Sequence, residues 1–458
     1  MSNFVEPVVV NSPTSRETSS KLDGVDPAAS SPQVKLSSVF SSLDPTSPFT
    51  DCNAESPDYL YRDPIDFTIG EPDSILLPYD RLAASVDRVI HGTNAYDALA
   101  YSDFGGYGRL REQIADWRRV NPTNVLITNG AMQGIYLAAA ALIDRESDDA
   151  VLMEEPVFPE ARRIFQLAGA RVDPIPMTQS GPDLDAVEKA LRTGKYKAFY
   201  TVSDFQNPTG TLIDAEGKRR LAQLAERYGI AIVADNPYHD LWFNQEPAQF
   251  PQELRMAQRG AHLFEIGSFS KILGPGLRLG WLIADAETVR LLASYRRSLD
   301  GHPSTFMQYV VSDVLSDTEW FHGFLAHTRA FYAAKAQVLY QALAEAFSMG
   351  TGTGADNFSE GQTDDSADGA ASLVLPQGGY FLWGTFPAWF DLSSPQVRYQ
   401  LSRFNVHVLP GTAFYFDSER AQGRRTRNTA RLSFARLPES DLVEGARRLG
   451  EINMLLRQ

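Results

Sequence analysis

Residues 267–282 read GSFSKILGPGLRLGWL and directly follow a short apolar run. Lys271 therefore stands just beyond a predicted strand, in a turn of small residues, with Arg278 seven residues later. An amine in such a place is partly desolvated or close to other cations, and either condition lowers its pKa and makes it a better nucleophile. Ser268, Ser270 and Arg278 would hold a phosphate group. This arrangement would suit a lysine that forms a Schiff base with pyridoxal phosphate.

The chain has eight lysines, so the competitors of Lys271 can be inspected directly. None of the others follows a buried-strand pattern and a small-residue turn; they stand at positions 21, 35, 189, 195, 197, 218 and 335. On residues 267–271 alone, a surface lysine in a Ser/Gly loop would still be the better interpretation. The decision depends on partners elsewhere in the chain.

Length and composition indicate a large globular protein. With 458 residues, of which 43% are hydrophobic and 11% aromatic, the chain can bury a core large enough for two domains. Its net charge of -15 argues against binding to nucleic acid or to an anionic membrane surface, because both need clustered Lys and Arg. No apolar run approaches the roughly 18 residues typical of a membrane span.

Cysteine content and the amino terminus bear on the compartment. Cys52 is the only cysteine, so neither a disulfide framework nor a thiolate metal cluster is expected, and we predict no metal site. The first residues lack the basic stretch and apolar block of a secretory signal. These features favour a reducing, cytoplasmic setting.

Two segments differ in composition from the rest. Residues 1–56 are acidic and rich in Ser and Pro, and they predict a disordered extension. Residues 349–371 carry five acids and no bases, which predicts a surface insertion that is mobile rather than a lid. We expect residues 57–95 to join a small domain, 96–300 to form a large cofactor-binding domain, and 301–458 to complete the small domain.

Short apolar runs alternate with stretches of helical periodicity. The runs are nearly continuous, as in strands that are covered on both faces. This order predicts an α/β protein with a mostly parallel sheet, helices on both sides, and ligands at the carboxyl ends of the strands. The runs are Asn124–Thr128, Ala150–Met153, Ala198–Val202, Ile230–Ala234, Leu263–Ile266 and Leu279–Ala284. The helical stretch Glu319–Phe347 and the runs Tyr380–Trp383 and Val406–Leu409 are assigned to the smaller α+β domain.

Two strand ends carry weaker signals for a phosphate and a planar ring. After the first run, the backbone N–H groups of Gly130, Ala131 and Met132 begin a predicted helix and could cradle a phosphate. After the second run, Phe158 could stack on a ring. Many helices begin with a small residue, and a single Phe is more often a core residue, so neither signal decides alone.

Two further strand ends supply polar side chains suited to the same cofactor. Asn207, in the turn FQNPTG, could donate a hydrogen bond to a phenolate-like oxygen, and Tyr238 could share that oxygen. Asp235, in ADNPYHDL, could pair with a pyridine nitrogen and keep it protonated. Each motif alone is an ordinary turn or strand exit. Ordinary turns do not readily explain why all of these residues occur together in this order: Asn207, Asp235, Tyr238, Ser268, Ser270, Lys271 and Arg278.

These stretches together resemble the fold type I pyridoxal phosphate enzymes of the class I/II aminotransferase family, over roughly Asp66 to the carboxyl terminus. Three sequence motifs are most similar to those of the 2-aminoadipate, kynurenine and multisubstrate aminotransferases: FQNPTG, ADNPYHDL and GSFSKILGPGLRLGWL. The resemblance implies that Lys271 is the Schiff-base lysine and Asp235 the partner of the pyridinium. It further assigns the ring oxygen to Asn207 and Tyr238, stacking to Phe158, and the phosphate to Ser268, Ser270, Arg278, Ala131 and Met132.

The resemblance also implies substrate contacts and a homodimer. Tyr101 matches a tyrosine that reaches the phosphate of the neighbouring subunit, so two chains would share their active sites. Arg431 matches the arginine that grips the substrate α-carboxylate, a task for which its two parallel N–H donors are suited. Without the resemblance, Arg431 would be taken as a surface arginine. Gly70 matches a glycine that lines the substrate site, and Tyr380 lies in a stretch that faces it.

The reaction expected from the resemblance is ping-pong transfer of the amino group of an L-α-amino acid to a 2-oxo acid. Lys271 would act as the general base. Another α-carbon reaction on an amino acid or an S-adenosylmethionine-like substrate stays open: decarboxylation, cyclisation, side-chain replacement or C–C bond formation. A regulatory relative would instead begin with a basic winged-helix module, whereas residues 1–56 are acidic. Asp204, an acid where relatives usually have a non-acidic residue, leaves the substrate preference undecided.

Overall fold

A computed structural model describes residues 59–255, 263–347, 371–416 and 424–457. Residues 1–56 and residues 349–370 of the acidic insertion lie outside the described residues. The sequence-based expectations for these two segments therefore stay predictions, as does the assignment of residues 57–95, 96–300 and 301–458 to two domains.

The described residues contain fourteen strands, eight of which form one sheet in the order β2-β9-β8-β7-β6-β3-β4-β5. From β8 to β4 in that order, neighbouring strands run parallel. Strand β9 is antiparallel to both of its neighbours, and β5 to β4. This mixed, mostly parallel sheet confirms the predicted fold class. The strands are β1 (Ile65–Asp66), β2 (Val125–Thr128), β3 (Ala150–Glu155), β4 (Arg171–Thr178), β5 (Gly181–Pro182), β6 (Ala198–Thr201), β7 (Ala231–Asp235), β8 (Leu263–Ser268), β9 (Gly280–Ile283), β10 (Ser372–Leu373), β11 (Phe381–Thr385), β12 (Val406–His407), β13 (Leu409–Pro410) and β14 (Thr429–Ser433).

Helices cover this sheet and the smaller sheet described below. Those within the described residues are α1 (Tyr79–His91), α2 (Ala95–Leu99), α3 (Gly108–Arg118), α4 (Ala131–Leu142), α5 (Pro159–Ala168), α6 (Leu184–Thr193), α7 (Ala215–Tyr228), α8 (Gln252–Arg255), α9 (Ala286–Arg296), α10 (Thr305–Leu315), α11 (Thr318–Ala346), α12 (Pro395–Arg403), α13 (Arg424–Arg427) and α14 (Glu439–Leu456). Across these segments, no helix is both long enough and apolar enough to cross a lipid bilayer.

Alternate side chains of the central strands point to opposite faces of the sheet, as strand geometry requires. Val151 and Met153 of β3 belong to a buried cluster with Ile135 of α4. Leu152, between them, belongs to another cluster with Leu221 of α7. Both faces are therefore covered, which explains why the strands read as continuous apolar runs.

A second sheet brings the carboxyl-terminal part of the chain to the first. Its four strands have the order β10-β11-β14-β13, and Trp383 of β11 pairs with Arg431 of β14. Helices α11 and α14 pack against each other beside it. Near the amino terminus, β1 pairs in parallel with β12, with Ile65 opposite Val406. This pairing fixes the start of the segment that leads to Gly70.

Candidate active site

A cavity of about 420 Å³ lies at the carboxyl ends of β6, β7 and β8, where an α/β sheet places its ligands. Residues of the amino-terminal segment and of the four-stranded sheet complete its wall. Nearly all of the predicted site residues line it together. The lining consists of Thr68, Ile69, Gly70, Ala131, Met132, Ile135, Phe158, Val202, Asn207, Asp235, Pro237, Tyr238, Ser268, Ser270, Lys271, Pro275, Arg278, Phe381 and Arg431.

Lys271 is the only lysine in this lining. Its Nζ donates to the backbone carbonyl of Gly70 at 2.8 Å. Burial lowers the pKa of Lys271 to about 8, and the positive charge of Arg431 acts in the same direction. The buried Lys218 and Lys335, by contrast, form ion pairs with Asp204 and Asp73. Lys271 is thus the lysine whose amine is available to an aldehyde in the cavity.

Asp235, at the end of β7, lines the same cavity. Its Oδ2 accepts a hydrogen bond from the Tyr200 hydroxyl at 2.9 Å, whereas Oδ1 has no hydrogen-bond partner among the described residues. Burial raises the pKa of Asp235 to about 6, opposed by the Tyr200 hydrogen bond and by the charge of Lys271. A buried carboxylate with an unused oxygen suits a cationic N–H of a ligand.

Helix α4 and the turn after β8 converge on one end of the cavity. Gly130, with φ 74°, precedes α4, whose first-turn residues Ala131 and Met132 line the cavity and whose first N–H groups have no acceptor within the helix. Arg278 has φ 52°, a left-handed conformation that costs an arginine of order 1 kcal/mol. A Cβ added at Gly130 would lie 3.3 Å from Nη2 of Arg278, so the Arg278 guanidinium is close to the amino terminus of α4. Ser268 and Ser270 lie beside them, the Ser270 N–H donating to Ser268 Oγ at 3.1 Å. This combination fits a phosphate.

Arg431 is a further cation of the cavity lining. Its guanidinium donates to the side-chain oxygen of Asn207 at 2.9 Å and to the carbonyl of Thr68 at 2.6 Å, and it lies 4.1 Å from the centre of the Phe381 ring. Burial lowers the pKa of Arg431 to about 10, against the opposing effect of Tyr238. Its Nε has no hydrogen-bond partner among the described residues. The site therefore contains a buried cation with unused donors, which suits a carboxylate.

Two of the predicted site residues do not line the cavity. Tyr380 is fully buried, and its hydroxyl donates to the backbone carbonyl of Lys271 at 2.6 Å. The next residue, Phe381, lines the cavity in its place. Tyr101 is 97% exposed and packs edge-on against His302 at 5.8 Å between ring centres. Within a single chain, neither residue contacts the cavity.

Asp204 is not a substrate-facing acid. It is buried outside the lining and bonded to Lys218 and to His239, the latter at 2.6 Å from Nδ1 to Oδ2. Burial acts to raise its pKa, but Lys218 and His239 outweigh this effect and lower it to about 2. The sequence-based doubt that Asp204 cast on substrate preference is therefore removed, because its charge is already neutralised.

Sequence reasoning missed Phe381 and Tyr200. Phe381 follows directly after the predicted Tyr380, and both rings pack against Tyr238 with 5.6 Å between ring centres, but of the two only Phe381 lines the cavity. Tyr200 lies in a run of apolar residues, where nothing local marks it. Its closeness to Asp235 could have been predicted only from the pairing of β6 with β7. In that register Tyr200 lies opposite Val233, two residues before Asp235.

Comparison with known proteins agrees with this geometry. The family model described as aminotransferase class I and II matches residues 63–449. The chain belongs to this family. A 2-aminoadipate transaminase from Thermus thermophilus is 32% identical over 388 residues, which are 84% of this chain and 89% of that protein. An aromatic-amino-acid aminotransferase from Thermococcus litoralis is 27% identical over 400 residues, 85% and 88% of the two chains.

A solved structure extends the likeness to the cofactor. The α-aminoadipate aminotransferase LysN of Thermus thermophilus, complexed with N-(5'-phosphopyridoxyl)-L-leucine, superposes with a TM-score of 0.73 at 30% identity, over 86% of this chain and 93% of that one. The protein is a fold type I aminotransferase that uses pyridoxal phosphate to transfer amino groups between amino acids and 2-oxo acids. The free oxygen of Asp235, the amine of Lys271 and the anion pocket beside Arg278 fit this cofactor.

Proposed function

We propose that transamination takes place in the 420 Å³ cavity, with Lys271 holding the cofactor and moving the proton. The observation that carries this proposal is that Lys271 shares one cavity lining with Asp235, which has a free carboxylate oxygen, and with Arg431, and that the charges of both act on Lys271. Bound pyridoxal phosphate supplies an aldehyde that combines with amines and a protonated ring that withdraws electrons.

Each side chain near the cofactor ring has its own proposed role in the reaction. Lys271 Nζ accepts the proton from the substrate α-carbon, and its pKa of about 8 keeps the amine close to the range of a general base at neutral pH. Asp235 remains charged and holds the proton on the ring nitrogen. Asn207 and Tyr238 take the ring oxygen, and Phe158 packs on the ring.

The remaining groups bind the two ends of the reactants. Arg278, Ser268, Ser270 and the amides of Ala131 and Met132 hold the phosphate. Arg431, beside Gly70, holds the substrate α-carboxylate through its free donors.

The amino donor is drawn from the classes named for the relatives, 2-aminoadipate and aromatic amino acids. Among the described residues of the lining, the cations are Lys271, Arg278 and Arg431, and each already has a role. The wall around the substrate includes the apolar Ile69 and Phe381. We therefore propose that the preferred amino donors are amino acids with aromatic or apolar side chains, ahead of 2-aminoadipate with its second carboxylate.

A half-reaction tests the proposal. The holoenzyme with an aromatic donor and no oxo acid should release one equivalent of 2-oxo acid and stop, with the cofactor left in its aminated form. Addition of a 2-oxo acid should restore the original absorbance. Repeated turnover without an acceptor would instead indicate another α-carbon reaction. A screen of donors at equal concentration, with 2-aminoadipate included, ranks the side chains.

The protein is further proposed to act as a homodimer in the cytoplasm. Large apolar side chains are exposed along one stretch of the chain, including Ile75, Tyr96, which is 83% exposed, Leu99 and Tyr101. Such surfaces commonly mark contacts between subunits. In a dimer, Tyr101 would complete the phosphate pocket of the partner. The single cysteine of the sequence favours a reducing compartment.

A further inference from the structure

The two oxygens of the Asp235 carboxylate have different environments. Oδ1 has no hydrogen-bond partner among the described residues, and Asp235 lines the cavity. Oδ2 accepts the hydroxyl proton of Tyr200 at 2.9 Å. Since a carboxylate with one oxygen fixed can rotate very little, the hydrogen bond to Oδ2 determines where Oδ1 lies.

Tyr200 does not line the cavity and is fully buried in β6. Its ring packs edge-on against Phe165 of α5, with 6.0 Å between ring centres. Burial and the negative charge of Asp235 raise its pKa well above the ordinary value, so the phenol keeps its proton and is the donor. A neutral donor held by packing on one side is suited to fixing a carboxylate.

We propose that Tyr200 is a positioning residue for transamination, whose hydroxyl orients Asp235 and keeps it negatively charged so that its free oxygen can hold the proton of the cofactor ring. The inference rests on the role proposed above for Asp235. Nothing in it requires Tyr200 to touch the cofactor or the substrate.

The charges around Asp235 make this hydrogen bond important. Burial raises the pKa of Asp235, and the groups that lower it are the Tyr200 hydrogen bond and then the charge of Lys271. Glu154 of β3 and Tyr238 are the other titratable groups that interact with it. Burial raises the pKa of Glu154 to about 8, so at neutral pH Glu154 is mostly uncharged. Without the Tyr200 hydroxyl, Lys271 alone would oppose protonation of Asp235.

Tyr200→Phe tests the proposal, because it removes the hydroxyl and keeps the ring against Phe165. In cofactor-free protein with 13C-labelled aspartate carboxyls, the Asp235 signal, assigned by its loss in Asp235→Asn, should titrate at higher pH in the variant. In the holoenzyme, 15N-labelled cofactor should show less proton on the ring nitrogen. We expect kcat to fall about 10- to 100-fold, the factor carried by a hydrogen bond to a charged group.

A double-mutant cycle shows whether Tyr200 acts through Asp235. In an Asp235→Asn background, Tyr200→Phe should change kcat by less than about twofold, because the group on which it acts is gone. Independent, multiplicative losses would overturn the proposal. Phe199→Leu is the structural control: Phe199 is buried in the same strand but belongs to the cluster on the other face of the sheet, so this variant should lower stability without moving the Asp235 titration.

A second variant covers the case in which Tyr200→Phe does not fold. A fluorinated tyrosine at position 200 keeps ring and hydroxyl and is a stronger hydrogen-bond donor, so it should lower the pH at which Asp235 titrates. An unchanged Asp235 titration in the variants that fold refutes the role of Tyr200, even if Asp235→Asn is inactive. Full activity of Asp235→Asn would refute the proposed role of Asp235 itself, and the two failures are therefore distinguishable.

Discussion

Arg431 donates from Nη1 to the side-chain oxygen of Asn207 over 2.9 Å, which joins β14 of the four-stranded sheet to the loop after β6. The same guanidinium reaches the carbonyl of Thr68 on the amino-terminal segment. Three distant parts of the chain thus meet at one arginine. The contact also couples the group proposed for the substrate carboxylate to a group proposed for the cofactor ring.

Arg431→Lys is expected to weaken α-amino acid and 2-oxo acid binding alike, because an ammonium cannot reproduce two parallel N–H donors. Loss of hydrogen bonds to a charged carboxylate predicts a penalty of about 1.5–3 kcal/mol in kcat/KM. Steady-state kinetics with varied amino donor and with varied 2-oxo acid measure this loss in kcat/KM for each half-reaction. Arg436→Lys is the matched control, since Arg436 is exposed and lies 3.8 Å from Glu71. An equal loss in both variants would contradict the role of Arg431.

Lys271→Ala should abolish covalent attachment of the cofactor and leave the fold intact. In the native protein, borohydride reduction followed by peptide mass spectrometry should place the cofactor on the peptide that contains Lys271. Lys197→Ala, at a half-exposed lysine paired with Asp149, should change nothing. If the reduced cofactor maps to Lys218 or Lys335, the assignment is wrong.

Attachment of pyridoxal phosphate to cofactor-free protein should become faster as pH rises and level off above about 8, because only the neutral amine of Lys271 attacks and its pKa lies there. The positive charge of Arg431 contributes to that lowered pKa. Arg431→Met should therefore move the midpoint to higher pH. Stopped-flow absorbance follows the rate, and a midpoint unmoved in this variant would count against the coupling.

The same pKa shift affects the stability of the cofactor-free protein. The unfolded chain keeps the Lys271 proton up to the ordinary pKa of 10.5, whereas the folded chain releases it near 8. Between these values the unfolded state binds more protons, so the contribution of Lys271 to the free energy of unfolding increases with pH. Denaturant unfolding of the native chain and of Lys271→Met should diverge in this window, and parallel curves would exclude the effect.

Tyr101→Phe should weaken cofactor retention if Tyr101 serves the partner's phosphate pocket. Mixing this variant with Lys271→Ala provides a test of shared sites. After subunit exchange, half of the sites in the hybrid dimers should carry both defects and half neither, so full-strength sites reappear. Exchange confirmed by mass with no recovery of activity would show that each chain builds its own site. Tyr399→Phe is the control, because Tyr399 is an exposed tyrosine of α12 and lies outside the proposed contact stretch.

The cofactor side of the site could be predicted from the sequence because its residues are local to strand ends. Lys271, Asp235 and Asn207 each follow a short apolar run, and parallel strands bring their carboxyl ends to one edge of the sheet. The order of the runs was therefore enough to place these side chains around one cavity, together with the anion pocket beside Arg278.

Features that depend on distant pairing could not be predicted in this way. Asp204 forms an ion pair with Lys218 and a hydrogen bond with His239, which lies 35 positions away and on the other side of β7 in sequence. Tyr200 gains its role only from the register between two strands. Within the chain, Tyr101 is exposed and packs against His302, so its proposed contact with a partner's phosphate pocket rests on the family resemblance and not on the pattern of strands.

The amino-terminal segment supplies acceptors to the central cations of the cavity. The carbonyl of Thr68 accepts a hydrogen bond from Arg431, and the carbonyl of Gly70 accepts one from Lys271. The carbonyl of Phe67 accepts a hydrogen bond from the Ser433 N–H. A protease that trims the chain past residue 70 would leave both cations buried and without these acceptors, although all strands of the eight-stranded sheet lie beyond the cut. Mass spectrometry of timed digests, paired with activity, should show that catalysis ends with the loss of this segment rather than with the loss of the sheet.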